Sequence, residues 1–436
     1  MTPSSLAGHV IELIEKIGRS SLPADKVVAD FYKERRYLGS HDRKWISDRT
    51  FTIVRNFLLL KDLVNHCGIT QIGFGLFLAN EIRLGQTNDS VLSGYSQLFE
   101  SYRAAGSDLD FDRFRGCAER RLEEIGTDAS LLPLLYSFPN FFQGYVPKDH
   151  RGEMIPLMEA LNHEANVCLR LNSGRITADE AVAKLHNDGI EAVPSKYSPI
   201  GIYLKKRVVL NEISLYRSGL LEVQDEASQM VGFVVDPQPG ELIVDACAGA
   251  GGKSLLLAYL SGGKSNIIAL DVDKDRLDNL RVRAKRAGIP NIEVKKVAQD
   301  DLHQAEELIS SADKVLIDAP CSGSGTIRRN PDRKFRLSIE LSEEYADRQQ
   351  KLIRHYSRLV RPGGFLFYAT CSLFEIENKS VADLFLESNR QFERLDLSDT
   401  DFGRKYPELI EDGCMATYPH KHDMDGFFCT GMKRIE

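Results

Sequence analysis

The sequence predicts an α/β protein whose second half forms a parallel sheet with helices on both faces. From Gly219 onward, short apolar strands alternate with helical stretches, which is the pattern of such a sheet. From residue 1 to about residue 135 the periodicity is helical instead, and a small α+β module follows. We therefore expect three domains, at residues 1–140, 141–217 and 218–436.

The first domain is predicted to be all helical. Apolar residues recur at the spacing of one helix face at Val10, Leu13 and Ile17, and a second strong segment runs from near Asp42 to Gly68. In the module, "NVCLRLN", "IEAVP" and "GIYLKK" are typical of strands, and "TADEAVAKLHNDG" opens like a capped helix. Such a module can lie against RNA or simply link two domains, and both interpretations stay open.

The third domain carries six predicted strands. They are "ELIVDAC", "NIIALDVD", "IEVKKV", "KVLIDAP", "GGFLFYATC" and "GFFCTGMKRI". In a doubly wound sheet of this kind, ligands bind beyond the carboxyl ends of the strands, at the point where the strand order reverses.

Composition excludes several classes of protein. The chain is 42% hydrophobic and 27% charged, with no apolar run long enough for a membrane span, so we expect a cytoplasmic protein without a membrane partner. The net charge of −7 argues against wholesale coating of nucleic acid. The eight cysteines form no C-x-x-C pair and no Cys/His cluster, so neither a metal site nor a disulfide framework is expected.

The stretch "DACAGAGGKS" at residues 245–254 indicates a nucleoside-containing ligand. It is not a phosphate-binding P-loop, because Cys247 occupies the place of the first glycine. The stretch instead joins a strand to a helix, and Asp271 ends the next strand, where an acid can bind ribose hydroxyls. The spacing of Asp245, Gly249 and Gly251 fits S-adenosylmethionine-dependent methyltransferases. An NAD-dependent enzyme is disfavoured, because a third glycine is missing where Ser254 stands.

Two cysteines end neighbouring predicted strands, Cys321 in "DAPCSGSG" and Cys371 in "ATCS". A lone cysteine at a strand end is usually a small buried hydrophobic residue, but two flanking one cleft suit the methylation of a pyrimidine. A thiolate that adds to carbon 6 makes carbon 5 nucleophilic, and a base then removes the proton from carbon 5. Asp318 is placed to bond the N3 edge of the ring.

At these residues the sequence resembles the Sun-type RNA cytosine-5 methyltransferases, and most closely the bacterial RsmB (Fmu) group. The motifs that carry the resemblance fall in the family's order: "VQDEAS", "DACAGAGGKS", "LDVDKDRL", "LIDAPCSGSGTIRRNPDRKF", "YATCSLFEIEN" and "DGFF". The resemblance implies a Rossmann-like class I methyltransferase sheet, an N-terminal NusB-like domain and a small α+β module. It also implies that the chain forms 5-methylcytosine in small-subunit ribosomal RNA with S-adenosylmethionine as its cofactor.

The resemblance also implies roles for individual residues. Cys371 is the expected nucleophile and Cys321 the residue that helps product release; the reverse assignment stays open, because DNA cytosine methyltransferases attack with the Pro-Cys position. Asp318 completes the catalytic set. The expected cofactor contacts are Cys247, Ala248, Gly249, Ala250, Gly251, Gly252, Lys253, Asp271, Asp300 (with Asp301 adjacent) and Asp318.

One departure from the family lies in the glycine-rich loop. The usual loop has the order C-A-A-P-G-G-K, whereas Gly249 and Ala250 stand in the Ala-Pro places here. Loss of the proline frees the backbone, so we expect cofactor affinity to be weaker by roughly 1 kcal/mol if binding orders the loop.

The expected macromolecular partner is RNA, not DNA, and we expect a monomer. We assign RNA contacts to Arg328, Arg329 and Lys334, which follow the Pro-Cys loop, and to Arg170 in "LRLN". Two alternatives remain: a tRNA cytosine-5 methyltransferase, or a non-catalytic RNA-binding factor in ribosome assembly.

Overall fold

The structure, a computed structural model, describes residues 1–104, 109–172, 174, 176–298 and 303–436. The chain forms two compact units. The first contains Met1–Gly144, Lys148–Asn162 and Ile327–Ser338, and the second contains Tyr145–Pro147, His163–Thr326 and Ile339–Glu436. The segment Ile327–Ser338 thus packs within the first unit, although the predicted boundaries assign it to the third domain; the three-domain division itself stays a prediction. Within these ranges no helix is both long and apolar enough to cross a bilayer.

The first unit is helical, as predicted. Its helices are α1 (Pro3–Arg19), α2 (Ala24–Glu34), α3 (Ser40–Arg55), α4 (Phe57–His66), α5 (Ile72–Arg83), α6 (Asp89–Ser93), α7 (Ser96–Ala104), α8 (Phe111–Thr127), α9 (Leu132–Leu135), α10 (Phe142–Tyr145) and α11 (Met154–Asn162). α1 begins where the hydroxyl of Thr2 accepts a hydrogen bond from the Ser5 amide. The single segment predicted from Asp42 to Gly68 is in fact two helices, because the chain turns at Asn56.

A disulfide joins two helices of this unit. Cys67, directly after α4, is bonded to Cys117 of α8 across 50 residues of sequence. The expectation that the cysteines form no disulfide is therefore wrong for this pair. A search for short cysteine spacings could not detect it, because only the packing of α4 against α8 brings the two side chains together.

In the second unit, a small antiparallel sheet comes first. Its elements are β1 (Val167–Leu171), α12 (Ala178–Asn187), β2 (Ala192–Pro194), β3 (Gly201–Leu204), α13 (Ser214–Arg217) and β4 (Leu221–Val223), with strand order β2-β3-β1-β4. The predicted capping box is present, with Thr177 and Glu180 bonded reciprocally at the start of α12. The sequence did not predict β4, which pairs with β1 beyond the predicted boundary at residue 217.

The large sheet contains all six predicted strands. Its elements are α14 (Glu226–Val235), β5 (Leu242–Asp245), α15 (Gly252–Leu260), β6 (Asn266–Asp271), α16 (Lys274–Ala287), β7 (Ile292–Lys296), β8 (Ala312–Asp318), α17 (Ile339–Tyr356), β9 (Val360–Thr370), α18 (Lys379–Ser388), β10 (Phe392–Leu395), α19 (Asp401–Lys405), β11 (Ile410–Glu411), β12 (Cys414–Thr417), α20 (Pro419–His422) and β13 (Phe427–Arg434). The strand order is β11-β12-β13-β9-β8-β5-β6-β7, and β10 pairs with β13. The strands β10, β11 and β12, which the sequence did not predict, are only two to four residues long.

The order of the strands reverses at β5. β5 pairs in parallel with β6 on one side and with β8 on the other, and β8 pairs in parallel with β9. The fold is therefore the doubly wound, Rossmann-like sheet that was predicted. The carboxyl ends of β5, β6, β8 and β9 meet at one edge, and a crevice for a ligand is expected there.

Candidate active site

The glycine-rich loop, residues 246–252, lies at the carboxyl end of β5. It folds into a tight turn in which the Gly251 amide donates to the Ala248 carbonyl at 2.8 Å. Gly249 and Gly251 have φ angles of +54° and +81°, which favour glycine. A Cβ atom on Gly251 would lie 2.3 Å from Cγ of Leu280, so the loop can pack against α16 only without a side chain at this position.

Three carboxylates end three of the parallel strands beside this loop. Asp271 accepts a hydrogen bond from the Gly249 amide at 2.7 Å, which ties the loop to the end of β6. Asp318, at the end of β8, accepts from Nζ of Lys253 at 2.6 Å. Burial alone would lower the pKa of Lys253, but the charge and hydrogen bond of Asp318, together with the charges of Asp245 and Cys371, outweigh burial and raise the pKa. Lys253 therefore stays protonated beside Asp318.

The third carboxylate, Asp245 at the end of β5, is fully buried. Its Oδ2 atom accepts from the Ser254 hydroxyl at 2.6 Å, whereas Oδ1 is buried with no hydrogen-bond partner. Burial raises the pKa of Asp245 to about 7. Oε1 of Gln224, another buried acceptor without a partner, belongs to a side chain that lies close to Gly252. This end of the sheet is thus rich in acceptors and suits a ligand that carries positive charge and hydrogen-bond donors.

The structure brings the two predicted cysteines together. β8 and β9 are parallel neighbours, with Asp318 in register with Ala369, and the loops after them carry Cys321 and Cys371. The two Sγ atoms lie 3.3 Å apart, and both cysteines are half-buried and outside any disulfide. The hydrogen bond with Cys371, together with burial, raises the pKa of Cys321 well above its ordinary value.

A buried network holds the two cysteine loops to each other. We call it the serine–glutamate network: Ser322, Ser324, Ser372 and Glu377. One carboxylate oxygen of Glu377 accepts from the Ser322 amide at 2.8 Å, and the other accepts from the Ser372 hydroxyl at 2.8 Å. The hydroxyl of Ser324 lies 3.1 Å from that of Ser372 and accepts from the Leu373 amide at 2.8 Å. Each cysteine thus precedes a serine that this network holds in place.

The "DGFF" segment packs against the same loops. The Gly325 amide donates to the Cys371 carbonyl at 3.0 Å, and the Gly426 amide donates to the Gly325 carbonyl at 2.9 Å. A Cβ atom on Gly325 would lie 2.1 Å from the Gly426 carbonyl oxygen. The two cysteine loops and the "DGFF" segment are therefore in direct contact at the sheet edge.

The predicted cofactor residues surround this edge, with one exception. The residues from Cys247 to Lys253 form the loop and the start of α15, and Asp271 and Asp318 lie at the adjacent strand ends. Asp300 and its neighbour Asp301 lie outside the described residues. No group of three or more His, Cys, Asp or Glu side chains suited to a metal ion occurs in the described part of the chain.

Two of the side chains predicted to contact RNA, Arg328 and Lys334, are buried, which contradicts the prediction. Lys334 is only 1% exposed, and its Nζ donates to the Arg55 and Tyr136 carbonyls and to Oδ1 of Asn162. Burial lowers its pKa well below the ordinary value. Arg328 is 5% exposed. Neither side chain can reach a phosphate in this conformation, because both are enclosed within the protein.

The predicted contact of Arg170 with RNA is also contradicted, because this side chain is fully buried. Its guanidinium donates to the Leu171 carbonyl at 3.1 Å, to Oδ1 of Asn172 at 2.9 Å and to the Gly252 carbonyl at 3.2 Å. It therefore bonds the glycine-rich loop and not RNA. Of the four predicted contacts, only Arg329 is partly exposed, and its contact with RNA stays a prediction.

Glu377 lies in the "FEIEN" segment of the sequence, but no role was predicted for it. Glu222, Arg283 and Arg286 were missed as well: both arginines bond Glu222, and Arg283 also bonds the Ala250 carbonyl of the glycine-rich loop. For the two arginines, the signal in the sequence was the basic run "RVRAKR", but such a run is also typical of a solvent-exposed helix face. A sequence pattern does not show which of its charges is buried.

Comparison with known proteins agrees with this geometry. A family model described as "16S rRNA methyltransferase RsmB/F" matches residues 232–433, and one described as "Methyltr_RsmF/B-like, ferredoxin-like domain" matches residues 138–211. The crystal structure of PH0851 is 26% identical with a TM-score of 0.79, and the alignment covers 100% of this chain and 99% of that one.

Two curated relatives carry the same description, "Probable ribosomal RNA small subunit methyltransferase B". The protein of Synechocystis sp. (strain ATCC 27184 / PCC 6803 / Kazusa) is 30% identical over 69% of this chain and 67% of its own length. The protein of Bacillus subtilis (strain 168) is 31% identical over 61% of this chain, and the match spans 59% of its own length, less than two thirds. The chain therefore belongs to the RsmB/F family of 16S rRNA methyltransferases.

Proposed function

We propose that this chain is an S-adenosylmethionine-dependent methyltransferase that forms 5-methylcytosine in small-subunit ribosomal RNA. The observation that carries the proposal is the pair of thiols, Cys321 and Cys371, with Sγ atoms 3.3 Å apart at the ends of adjacent strands. The carboxylate of Asp318 ends one of these strands, three residues before Cys321. Cytosine-5 chemistry needs such a pair, because one sulfur adds to the ring while a second group assists proton removal and product release.

The residues at the sheet edge fit the cofactor. S-adenosylmethionine carries a sulfonium, an ammonium and one carboxylate, and the acceptor oxygens at this edge suit a ligand with such positive charge and donor groups. In this proposal Asp271 accepts from the ribose hydroxyls, and the partnerless oxygens of Asp245 and Gln224 accept from donor groups of the cofactor. When bound, the cofactor supplies an electrophilic methyl group for carbon 5 of the base.

The electrostatic environment favours Cys371 as the nucleophile. The hydrogen bond with Cys371 and burial raise the pKa of Cys321, and the charges of Cys371 and Glu377 raise it further, so Cys321 is held as a thiol. Cys371 instead interacts electrostatically with the ammonium of Lys253, whose positive charge stabilises a thiolate. This asymmetry supports attack by Cys371 and a role in proton transfer for Cys321.

The protein residues then act in sequence on the pyrimidine. The Cys371 thiolate adds to carbon 6, and Asp318 holds the N3 edge while negative charge builds in the ring. After carbon 5 has been methylated, a base removes its proton, and the electron pair of that C–H bond expels the thiolate from carbon 6. Cys321 lies beside the leaving sulfur and assists this release. The target base must be unpaired or flipped out of its stack to reach the crevice.

The helical domain and the small α+β module are proposed to supply the remaining RNA surface, with Arg329 as one contact. This part of the proposal rests on the family and on the module that the ferredoxin-like model matches. With Arg170, Arg328 and Lys334 buried, the phosphate contacts fall to other basic side chains.

The deciding assay supplies methyl-labelled S-adenosylmethionine with one of three substrates: free 16S rRNA, small ribosomal subunits or tRNA. Digestion to nucleosides and chromatography then identify the product. The proposal predicts labelled 5-methylcytidine from 16S rRNA, free or in the subunit. If 5-methylcytidine is labelled only with tRNA, the proposed substrate is wrong and tRNA takes its place. If a different nucleoside is labelled, or no substrate is labelled, the proposed reaction is wrong.

A further inference from the structure

Two arginines of the second unit bond carbonyls of the glycine-rich loop, and a glutamate bonds one of these arginines. They are Arg170 on β1, Glu222 on β4 and Arg283 on α16, and we call them the brace. We infer that the brace is a positioning device that holds the glycine-rich loop in its cofactor-binding shape and makes cofactor affinity depend on the small α+β module. This inference rests on the proposed cofactor site.

Arg283 makes the central contact of the brace. Its Nη1 atom donates to the Ala250 carbonyl at 2.5 Å, at the middle of the loop. Its Nε and Nη2 atoms donate to one carboxylate oxygen of Glu222, at 3.2 and 2.9 Å. The guanidinium fork thus bonds the loop on one side and β4 of the module on the other.

Glu222 orients Arg283 and is itself fixed. It is only 2% exposed, and its second carboxylate oxygen accepts from Arg286. The chain before β4 packs tightly on α16, since a Cβ atom on Gly219 would lie 2.2 Å from the Arg286 carbonyl oxygen. A buried carboxylate between two guanidiniums cannot move without leaving charges unpaired.

Arg170 extends the brace to the far end of the loop. From β1 its Nη2 atom donates to the Gly252 carbonyl, the residue at which α15 begins. Burial lowers its pKa to about 9, so it remains charged at neutral pH. Ala250 and Gly252 are therefore both held through their carbonyls.

The loop needs such support because of its composition. Residues 246–252 contain three glycines, two of them at positive φ, and no proline. A glycine-rich segment loses much conformational entropy when it is ordered. The brace removes part of that loss before the cofactor binds, so its removal should weaken binding without touching the cysteines.

The test measures binding of S-adenosylhomocysteine to the full chain by isothermal titration calorimetry. Arg283→Ala removes the contact with Ala250, and Arg283→Lys keeps the charge but not the fork. The matched control is Arg281→Ala on the same helix, because Arg281 bonds Asp278 and the Val294 carbonyl but not the loop. A second variant, Glu222→Gln, serves if thermal melts show that Arg283→Ala does not fold.

We expect the dissociation constant to be about tenfold higher for Arg283→Ala than for the wild type. It should rise less for Arg283→Lys and for Glu222→Gln, and it should change by less than about twofold for Arg281→Ala. The KM for the cofactor should rise in parallel, with kcat at saturating cofactor and the KM for RNA unchanged.

If Arg283→Ala leaves the dissociation constant unchanged, or if Arg281→Ala raises it equally, the brace does not position the loop for the cofactor. An equal rise in Arg286→Ala overturns the claim that the contact with the loop matters. A wild-type chain that binds no S-adenosylhomocysteine overturns the proposed cofactor itself, a result distinct from failure of the brace alone.

Discussion

The glycine-rich loop and the cysteine loops occupy the same edge of one sheet, but they are held in different ways. The cysteine loops are bonded to each other by the serine–glutamate network, whose members all lie within residues 322–377. The glycine-rich loop is instead held from outside, by Asp271 on β6 and by the brace, two of whose residues lie in the small α+β module.

This difference separates two tasks of a methyltransferase. The proposed chemistry at the base needs the two cysteines held near each other, and a network local to both loops holds them. The proposed cofactor site is built on a glycine-rich loop, and part of its support comes from a module that lies earlier in the chain. Mutations in the two regions should therefore have separable effects, on turnover in one case and on cofactor affinity in the other.

The largest effect is expected at the cysteine loops. Cys371→Ser should lower kcat by about 10⁴-fold or more, because a serine hydroxyl does not ionise near neutral pH and adds poorly to a pyrimidine. Cofactor affinity should stay within about twofold of wild type, since Cys371 is not one of the expected cofactor contacts. Single-turnover methylation and calorimetry measure the two quantities, and retained turnover would exclude Cys371 as the nucleophile.

A smaller effect is expected on the cofactor side, where Asp245 makes stability depend on pH. Its pKa is raised from 3.8 to about 7, so the folded state keeps a proton that the unfolded chain releases between these values. Stability from this group is therefore present at low pH and is lost as pH rises towards 7, by a few kcal/mol at most.

Asp245→Asn should remove this component, because the amide oxygen still accepts from Ser254 and no charge is buried. The difference in unfolding free energy between variant and wild type, measured in urea from pH 5 to pH 8, should grow with pH in favour of the variant. A difference that is constant over this pH range would contradict a raised pKa for the buried carboxyl group of Asp245.

A further effect is expected at Glu377. Glu377→Gln replaces one acceptor oxygen by an amide that faces a donor, either the Ser322 amide or the Ser372 hydroxyl. The cysteine loops should shift, and kcat should fall by roughly tenfold with the cofactor dissociation constant unchanged. Glu375→Gln, an exposed neighbour in the same turn, is the matched control. Equal loss in both variants, or weakened cofactor binding, would show that the two regions are not separable.

The sequence was sufficient for the parts of the site that follow from topology. Six apolar strand segments predicted the sheet, and parallel strands end at one edge, so Cys321 and Cys371 were expected to be neighbours before any coordinates. The departure at Gly249 and Ala250 was visible in the loop, but its compensation by Arg283 was not. That contact depends on how α16 packs, and α16 carries exposed and buried arginines in one run.

The same limit explains the corrected RNA contacts. Lys334 follows the Pro-Cys loop in the sequence, yet its acceptors come from Arg55, Tyr136 and Asn162, which lie more than 170 positions away in the chain. Arg170 likewise finds its partner at Gly252. A basic residue in a sequence indicates charge, whereas burial and partners are set by tertiary contacts that no local pattern contains.

The most direct test of the central claim uses Cys321→Ala with S-adenosylmethionine and its RNA substrate. If Cys371 attacks carbon 6 and Cys321 assists release, the variant should accumulate a covalent RNA–protein adduct that survives denaturing electrophoresis. After digestion, mass spectrometry should place the methylated nucleotide on the peptide that contains Cys371. Normal turnover by this variant, or an adduct on Cys321 when Cys371→Ser is used instead, would contradict the assignment of the two thiols.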